Sequence, residues 1–322
     1  MRRREVVVTG LAALALSVPS RAAAMARIGW LTAQRAPSLA PNVEAFRVGL
    51  AEHGYREGQN LRIEFRYGDD AVERVPELAA DLIKAQVSVI VAQGAAAGVA
   101  QRLNLPLPVV FVTSGDPITA GFADSLTKPR GNFTGMTFMA VEMNGKRLEL
   151  LREMLPDVRR IAIIAYPDHP GEHLERAAIE EAGRRLGFAL SYFHTRSQDE
   201  LTHAFETMAA DPPQAICVLS DGFALQNREQ IIGFGMAKKV PVVSGWQIFA
   251  QSGALFIYGP RLPETYRRLA SYVDSILNGA KPSDLPIERP SRFEFVVNLQ
   301  AAKALGLTVP ESVLLQADEV IE

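Results

Sequence analysis

Five short segments hold most of the side chains suited to recognising a small molecule. They are Thr32-Ala33-Gln34, Gln93-Gly94-Ala95-Ala96, Thr113-Ser114-Gly115-Asp116-Pro117, Ser220-Asp221-Gly222-Phe223 and Ser244-Gly245-Trp246-Gln247, and each follows a short apolar run. Together they offer hydroxyls, amides, two carboxylates and one indole. Asp116 and Asp221 are suited to accept hydrogen bonds from an ammonium or hydroxyl group. Gly94 and the alanines behind it let a carboxylate or other anion approach the first N–H groups of a helix. Trp246 is suited to stacking on a planar group. Each of these residues also has a plain structural use, since Asp before Pro is a common turn former and helix cap.

Covalent chemistry finds less support. The chain lacks a G-x-S-x-G elbow and a G-x-x-x-x-G-K-[ST] loop, and Gly233-Phe234-Gly235 fails as a dinucleotide fingerprint because Lys238 stands where the third glycine is needed. His169-Pro170-Gly171-Glu172-His173 has the letters of an inverted zinc-peptidase motif. That chemistry needs both histidines on one formed helix, and Pro170 and Gly171 oppose this, so no metal site is expected. His53, His194 and His203 are scattered, and the single cysteine, Cys217, sits in the apolar run Ile216 to Leu219 and reads as a buried hydrophobe. No catalytic residue and no cofactor is assigned.

The elements that must position the five segments alternate in type. Strands are expected at 26–31, 61–67, 87–91, 109–112, 161–165, 189–193, 215–219, 240–243, 254–258 and 293–297. Helices are expected at 41–53, 72–85, 95–103, 143–155, 174–186, 198–208, 227–237, 263–277 and 299–305, with Gly54, Gly187 and Gly306 as stops. Strands separated by helices imply parallel sheets covered on both faces. So many strands suit two doubly wound, Rossmann-like lobes, with a break at the turn-rich Lys128-Pro129-Arg130-Gly131-Asn132. A single (β/α)8 barrel is the competing fold. Ligands of open α/β sheets sit beyond the carboxyl ends of strands, where the five segments lie.

Length and composition narrow the class. The chain has 322 residues, 48% hydrophobic and 22% charged, with a formal net charge of −2. Such values fit globular domains and offer no basic field for nucleic acid. Arg2-Arg3-Arg4, an apolar stretch from Val6 to Val18 and Ala22-Ala23-Ala24 have the layout of a secretory signal peptide over residues 1–24. Cleavage there removes four arginines and one glutamate, leaving 298 residues with a charge of −5. No cysteine follows the apolar stretch, so no lipid anchor is expected, and the periplasm is the expected compartment.

Several stretches resemble the ABC-transporter substrate-binding proteins, in the family that includes tryptophan- and tyrosine-binding members. They are FRVGLAEHGYREGQNLRI (46–63), ERVPELAADL (73–82), PVVFVTSGDPITAG (108–121), GNFTG (131–135), KRLELL (146–151), GALFIYG (253–259), ILNGAKPSDLP (276–286) and the stretch from Phe293 that ends LGLTVPESVLLQADEVIE. The resemblance implies a type I periplasmic binding fold, in which two lobes joined by a three-crossing hinge close on a ligand. It places crossings near Asn132 to Thr137 and near Phe256 to Pro260. The N-terminal lobe would take residues 25–136 and 260–290 and the C-terminal lobe 137–259, with 291–322 left open.

It also implies a monomeric receptor that delivers a small molecule to an ABC permease in the membrane. The candidate ligand contacts are Gln34, Gln93, Gly94, Ala95, Ser114, Asp116, Thr137, Asp221 and Trp246. In relatives that bind aromatic amino acids the loop after the third strand carries hydroxyls. Gln93 to Ala97 has none, which leaves an aromatic acid or heterocycle open beside an amino acid. Two rivals remain: an exported hydrolase or transferase with Asp116 as base, and a ligand-sensing domain that reports to a signalling partner.

Overall fold

The computed structural model describes residues 25–138, 141–219 and 221–322. The expected signal peptide therefore lies outside the described residues. The first half builds β1 (Ala26–Thr32), α1 (Ala36–Glu52), β2 (Leu61–Tyr67), α2 (Val75–Lys84), β3 (Val89–Gln93), α3 (Ala95–Arg102) and β4 (Val109–Thr113). A hairpin of β5 (Ala123–Ser125) and β6 (Lys128–Pro129) and then β7 (Phe133–Thr137) complete it. The second half builds α4 (Val141–Met154), β8 (Arg160–Ala165), α5 (Glu172–Leu186), β9 (Ala189–His194), α6 (Gln198–Ala210) and β10 (Ala215–Val218). It continues with α7 (Gly222–Gln226), α8 (Arg228–Lys238), β11 (Val242–Ser244), α9 (Gln247–Gln251) and β12 (Phe256–Pro260). After these come α10 (Leu262–Leu277), β13 (Phe293–Asn298), α11 (Leu299–Leu305), α12 (Glu311–Leu314) and β14 (Glu319–Ile321).

Two sheets result, of five strands in the order β2-β1-β3-β4-β7 and of seven in the order β14-β13-β12-β11-β10-β8-β9. The first sheet is parallel throughout, and β8 to β12 are parallel in the second. Only β13 runs antiparallel to its neighbour β12. Each sheet carries apolar cores on both faces, as interior parallel strands require. The chain is thus an α/β protein of two doubly wound lobes.

Three passages join the lobes. The chain leaves β7 after Thr137 and enters α4, which packs on α5 and β12. It returns between β12 and α10. The buried face of α10, with Tyr266, Leu269, Ala270, Val273 and Ile276, lies on α1 and the first sheet. This contact is intimate: a Cβ on Gly49 of α1 would run into the backbone carbonyl of Arg267. Glu288 then bridges to Met136 of β7, and the chain crosses a third time to reach β13.

The structure changes several boundaries. α1 starts at Ala36 instead of Pro41, with Pro37 and Pro41 both in its first turns. Residues 133–137 form β7 at the edge of the first sheet, and the crossing follows its end. The short elements β5, β6, α7, α9, α12 and β14 carry too few residues for a periodic pattern. Among the described residues no helix is long and apolar enough to cross a membrane.

Candidate binding cleft

Both sheets repeat one winding pattern. In the first, the chain order reverses between β1 and β3, and in the second between β8 and β10. At such a point two neighbouring strands send their following loops to opposite faces, which leaves a crevice beyond their carboxyl ends. Gln34 follows β1, Gln93 is the last residue of β3, and Asp221 follows β10.

The first crevice has a bonded floor. Thr32 Oγ1 donates to Gln93 Oε1 at 2.6 Å, and the N–H of Gln34 donates to Thr32 Oγ1 at 3.1 Å. The buried hydroxyl of Tyr266, on α10, also hydrogen-bonds with Gln93. The Tyr266 ring stacks 6.0 Å from Trp30 and lies 6.0 Å from Phe138. Gly94 adopts φ 61° and ψ −132°, a backbone open in practice to glycine alone, and nothing stands within 4 Å of the place a Cβ would take. It opens α3, whose first N–H groups, at Ala95 and Ala96, have no intrahelical acceptor.

The second crevice is charged. Asp221 is 4% exposed, and its Oδ1 accepts from the N–H of Ala224 at 2.8 Å, capping α7. Its Oδ2 is buried and accepts no hydrogen bond among the described residues. Burial outweighs the backbone N–H groups of Ala224 and Phe223 and pushes the carboxyl up to about 7. Glu175 of α5 is also pushed up to about 7 by burial, against the opposing pull of Arg147 and Asn144. Arg147 is itself engaged, donating to the carbonyl of Tyr258 at 2.8 Å and to Asn144 Oδ1 at 2.6 Å. Tyr166 and Phe223 pair beside this region with ring centres 6.4 Å apart.

The crevices face each other. The Nε2 of Gln34 lies 3.6 Å from where a Cβ on Gly222 would stand, and the buried Oε1 of Gln34 has no donor among the described residues. Each lobe thus contributes one buried acceptor without a donor among the described residues, Gln34 Oε1 from the first and Asp221 Oδ2, next to Gly222, from the second.

The nine expected contacts divide. Gln34, Gln93, Gly94, Ala95 and Asp221 lie at the two switch points. Four others are engaged elsewhere. Asp116 Oδ2 accepts from the N–H of Thr119 at 2.6 Å, so one oxygen of this carboxylate caps a turn. Thr137 Oγ1 donates to the carbonyl of Gly115 at 2.8 Å, which pins the loop after β4. Trp246 is 7% exposed and packs among Ile164, Val218 and Ile257 in the second core, which removes the stacking face expected of it. Ser114 Oγ lies 2.8 Å from His169 Nε2 of the other lobe. Thr32 stood in the first of the five segments without being singled out, and sequence reasoning passed over Tyr266, Arg147 and Glu175. The three missed residues lie inside helices, where no strand-end signal marks them.

The profile of the family described as ABC transporter substrate binding protein matches residues 29–321. A tyrosine-binding protein of Clostridioides difficile (strain R20291) is 20% identical over 273 residues, 84% of this chain and 78% of that protein. Among solved structures, a domain from Streptococcus pneumoniae in complex with L-Trp is 25% identical. It superposes with a TM-score of 0.84 over 92% of this chain and 99% of that one. A ligand-free, open substrate-binding protein from Clostridium difficile, 20% identical, superposes with a TM-score of 0.68 over the same shares.

Proposed function

The chain belongs to the ABC transporter substrate binding protein family, and from that premise we propose that it serves an importer outside the cytoplasm. In this reading a small amine-bearing ligand, foremost an aromatic amino acid, is held between the lobes by hinge closure. The protein is a substrate-binding protein and not an enzyme. One observation carries the choice of ligand: Asp221 Oδ2 and Gln34 Oε1 are buried acceptors without donors. An unpaired buried acceptor is costly, and a ligand ammonium with three N–H groups relieves both at once. The relatives that bind tyrosine and L-Trp support the same class.

Arg147 is engaged inside the second lobe and is not assigned to the ligand carboxylate. The N–H groups of Ala95 and Ala96, which open α3, are the donors this reading assigns to it, and they need no hydroxyl in the loop. The closer superposition on the L-Trp complex than on the open protein supports a closed arrangement of the lobes. Such closure follows when ligand contacts from both lobes favour the shut form. The N-terminal lobe comprises residues 25–136 and 260–290, and 291–322 join the remainder. The expected leader places the protein in the periplasm, where it delivers its ligand as a monomer to an ABC permease.

The rival hydrolase reading finds less support, because one oxygen of Asp116 is taken up by the N–H of Thr119. Calorimetric titration with L-tryptophan, L-tyrosine, tryptamine and indole-3-propionate tests the proposal. Binding of the amino acids and the amine, with loss on removal of the amino group, is the expected pattern. Equal binding of the propionate would overturn the ammonium reading.

A further inference from the structure

Two loops meet across the cleft, one from each lobe. Ser114, Gly115 and Asp116 follow β4, and His169 and Pro170 lie between β8 and α5. Three contacts join them. Ser114 Oγ and His169 Nε2 are 2.8 Å apart, and the N–H of Asp116 donates to the carbonyl of Pro170 at 2.9 Å. Pro170 also lies against Gly115, where an added Cβ would stand 3.0 Å from the proline Cβ. His169 Nδ1 lies 3.5 Å from Glu175 Oε2. A neutral imidazole with its proton on Nδ1, towards Glu175, leaves Nε2 to accept from the Ser114 hydroxyl.

We propose that Ser114 and His169 form a closing latch, a bond between the lobes that exists only when the cleft is shut and holds it shut without touching the ligand. The proposal rests on the hinge-closure reading above. The other two contacts use backbone or ring atoms, so this hydrogen bond is the part of the seam that side-chain substitution removes. Ser114, His169 and Glu175 line up in the order of a hydrolase triad. Their serine and histidine come from opposite lobes, however, and meet each other directly.

The latch responds to protons. Glu175 of α5 faces His169, with Arg147 and Asn144 of α4 and Asp221 around that carboxylate. Glu172 is paired with Arg176, and Asp116 comes from the other lobe. Burial presses His169 down to about 4 in the closed form. An open, solvated histidine titrates near 6.5. The closed form therefore binds fewer protons at this residue between these values, and acidification from pH 7 to 5 favours opening. Glu175 and Asp221, both pushed up by burial, act in the opposite direction. The histidine contribution is thus the difference between wild type and His169→Ala.

The fully buried Cys217 leaves introduced cysteines as the reactive ones among the described residues. Spin labels on Lys84→Cys and His203→Cys, one per lobe, report the separation of the lobes by pulsed EPR without ligand. The wild type is expected to show a short-distance population. Ser114→Ala and His169→Ala should each lower its closed-to-open ratio about two- to tenfold, the range of one neutral hydrogen bond. The double variant should fall no further than either single one, since both remove the same bond. Between pH 7 and 5 the wild-type ratio should fall relative to His169→Ala. Unchanged ratios in both single variants, additive losses in the double variant, or no closed population in the wild type would each overturn the latch. L-tryptophan added afterwards separates the two readings. Failure to shift the distance in any variant counts against the amino-acid ligand alone.

Discussion

The two lobes wind their strands in the same order yet finish the switch point in opposite ways. In the first lobe, Thr32, Gln93 and Tyr266 satisfy one another, and the surface is neutral, with one amide oxygen, Gln34 Oε1, left without a donor among the described residues. In the second, Asp221 is buried with one oxygen unpaired, next to a second buried carboxylate at Glu175. The contrast divides the labour of binding: one wall sets shape in advance, and the other holds an electrostatic demand that a ligand must meet. Satisfied networks rigidify, whereas unsatisfied groups cost stability until a partner arrives.

Removing the demand should have the largest effect. Asp221→Ala is expected to weaken binding of an amine ligand by at least about thirtyfold, in line with ~2–5 kcal/mol for truncating one partner of a buried charged pair. Calorimetry with L-tryptophan reads it, and an affinity within threefold of wild type would place the ammonium elsewhere.

Acid should act on the same carboxylate next. Asp221 in the free protein stands at about 7, and only the ionised form pairs with an ammonium. Affinity should therefore be level above pH 7 and fall about tenfold per unit as pH drops below it. Titrations in two buffers of different ionisation enthalpy would detect the proton released on binding near pH 6. Asp221→Asn should lack both effects.

The neutral wall answers to backbone and packing instead. Gly94→Ala forces a side chain into φ 61° and ψ −132°, at a cost of about 1–3 kcal/mol in urea unfolding, although the space there is open. Gln93→Ala strands the partners Thr32 and Tyr266, for a loss of about 1–3 kcal/mol. Its binding should weaken less than that of Asp221→Ala, and the reverse ranking would dissolve the division between the walls.

The smallest effect is a gain. The carboxyl of Asp221 lies above its ordinary value in the folded protein, so the folded state binds more protons than the unfolded one between about 4 and 7, and stability falls as pH rises through that window. In ligand-free protein Asp221→Asn should raise Tm by a few degrees at pH 8 and leave it unchanged at pH 4, as differential scanning fluorimetry would show.

Much of this was legible in the sequence, for local reasons. Alternation and apolar runs mark β2 and the interior strands, and a loop after a buried strand marks Asp221. Asp116 and Asp221 look alike as letters. Their difference lies in burial and in which N–H each one meets, Thr119 for the first and Ala224 for the second. Trp246 follows a strand as a ligand-stacking residue would, but the turn into α9 carries it into the core. Ser114 and His169 stand 55 positions apart in different lobes, and no spacing rule joins them. The end of the chain was undecided because β14 has three residues and is half-covered.

The return of α10 to the first lobe has a consequence in time. Arg267 pairs with Glu52 across 215 positions, and the Gly49 surface of α1 is shaped to receive this late helix. A ribosome making the chain from its N-terminus produces β1 to β7 long before the segment that covers α1. The first lobe to be synthesised therefore waits for most of the second before it can finish, and its apolar flank stays uncovered while all of β8 to β12 emerges. Contacts of such long sequence separation form slowly, and a nascent chain in this state depends on whatever shields that flank until residue 277 has appeared.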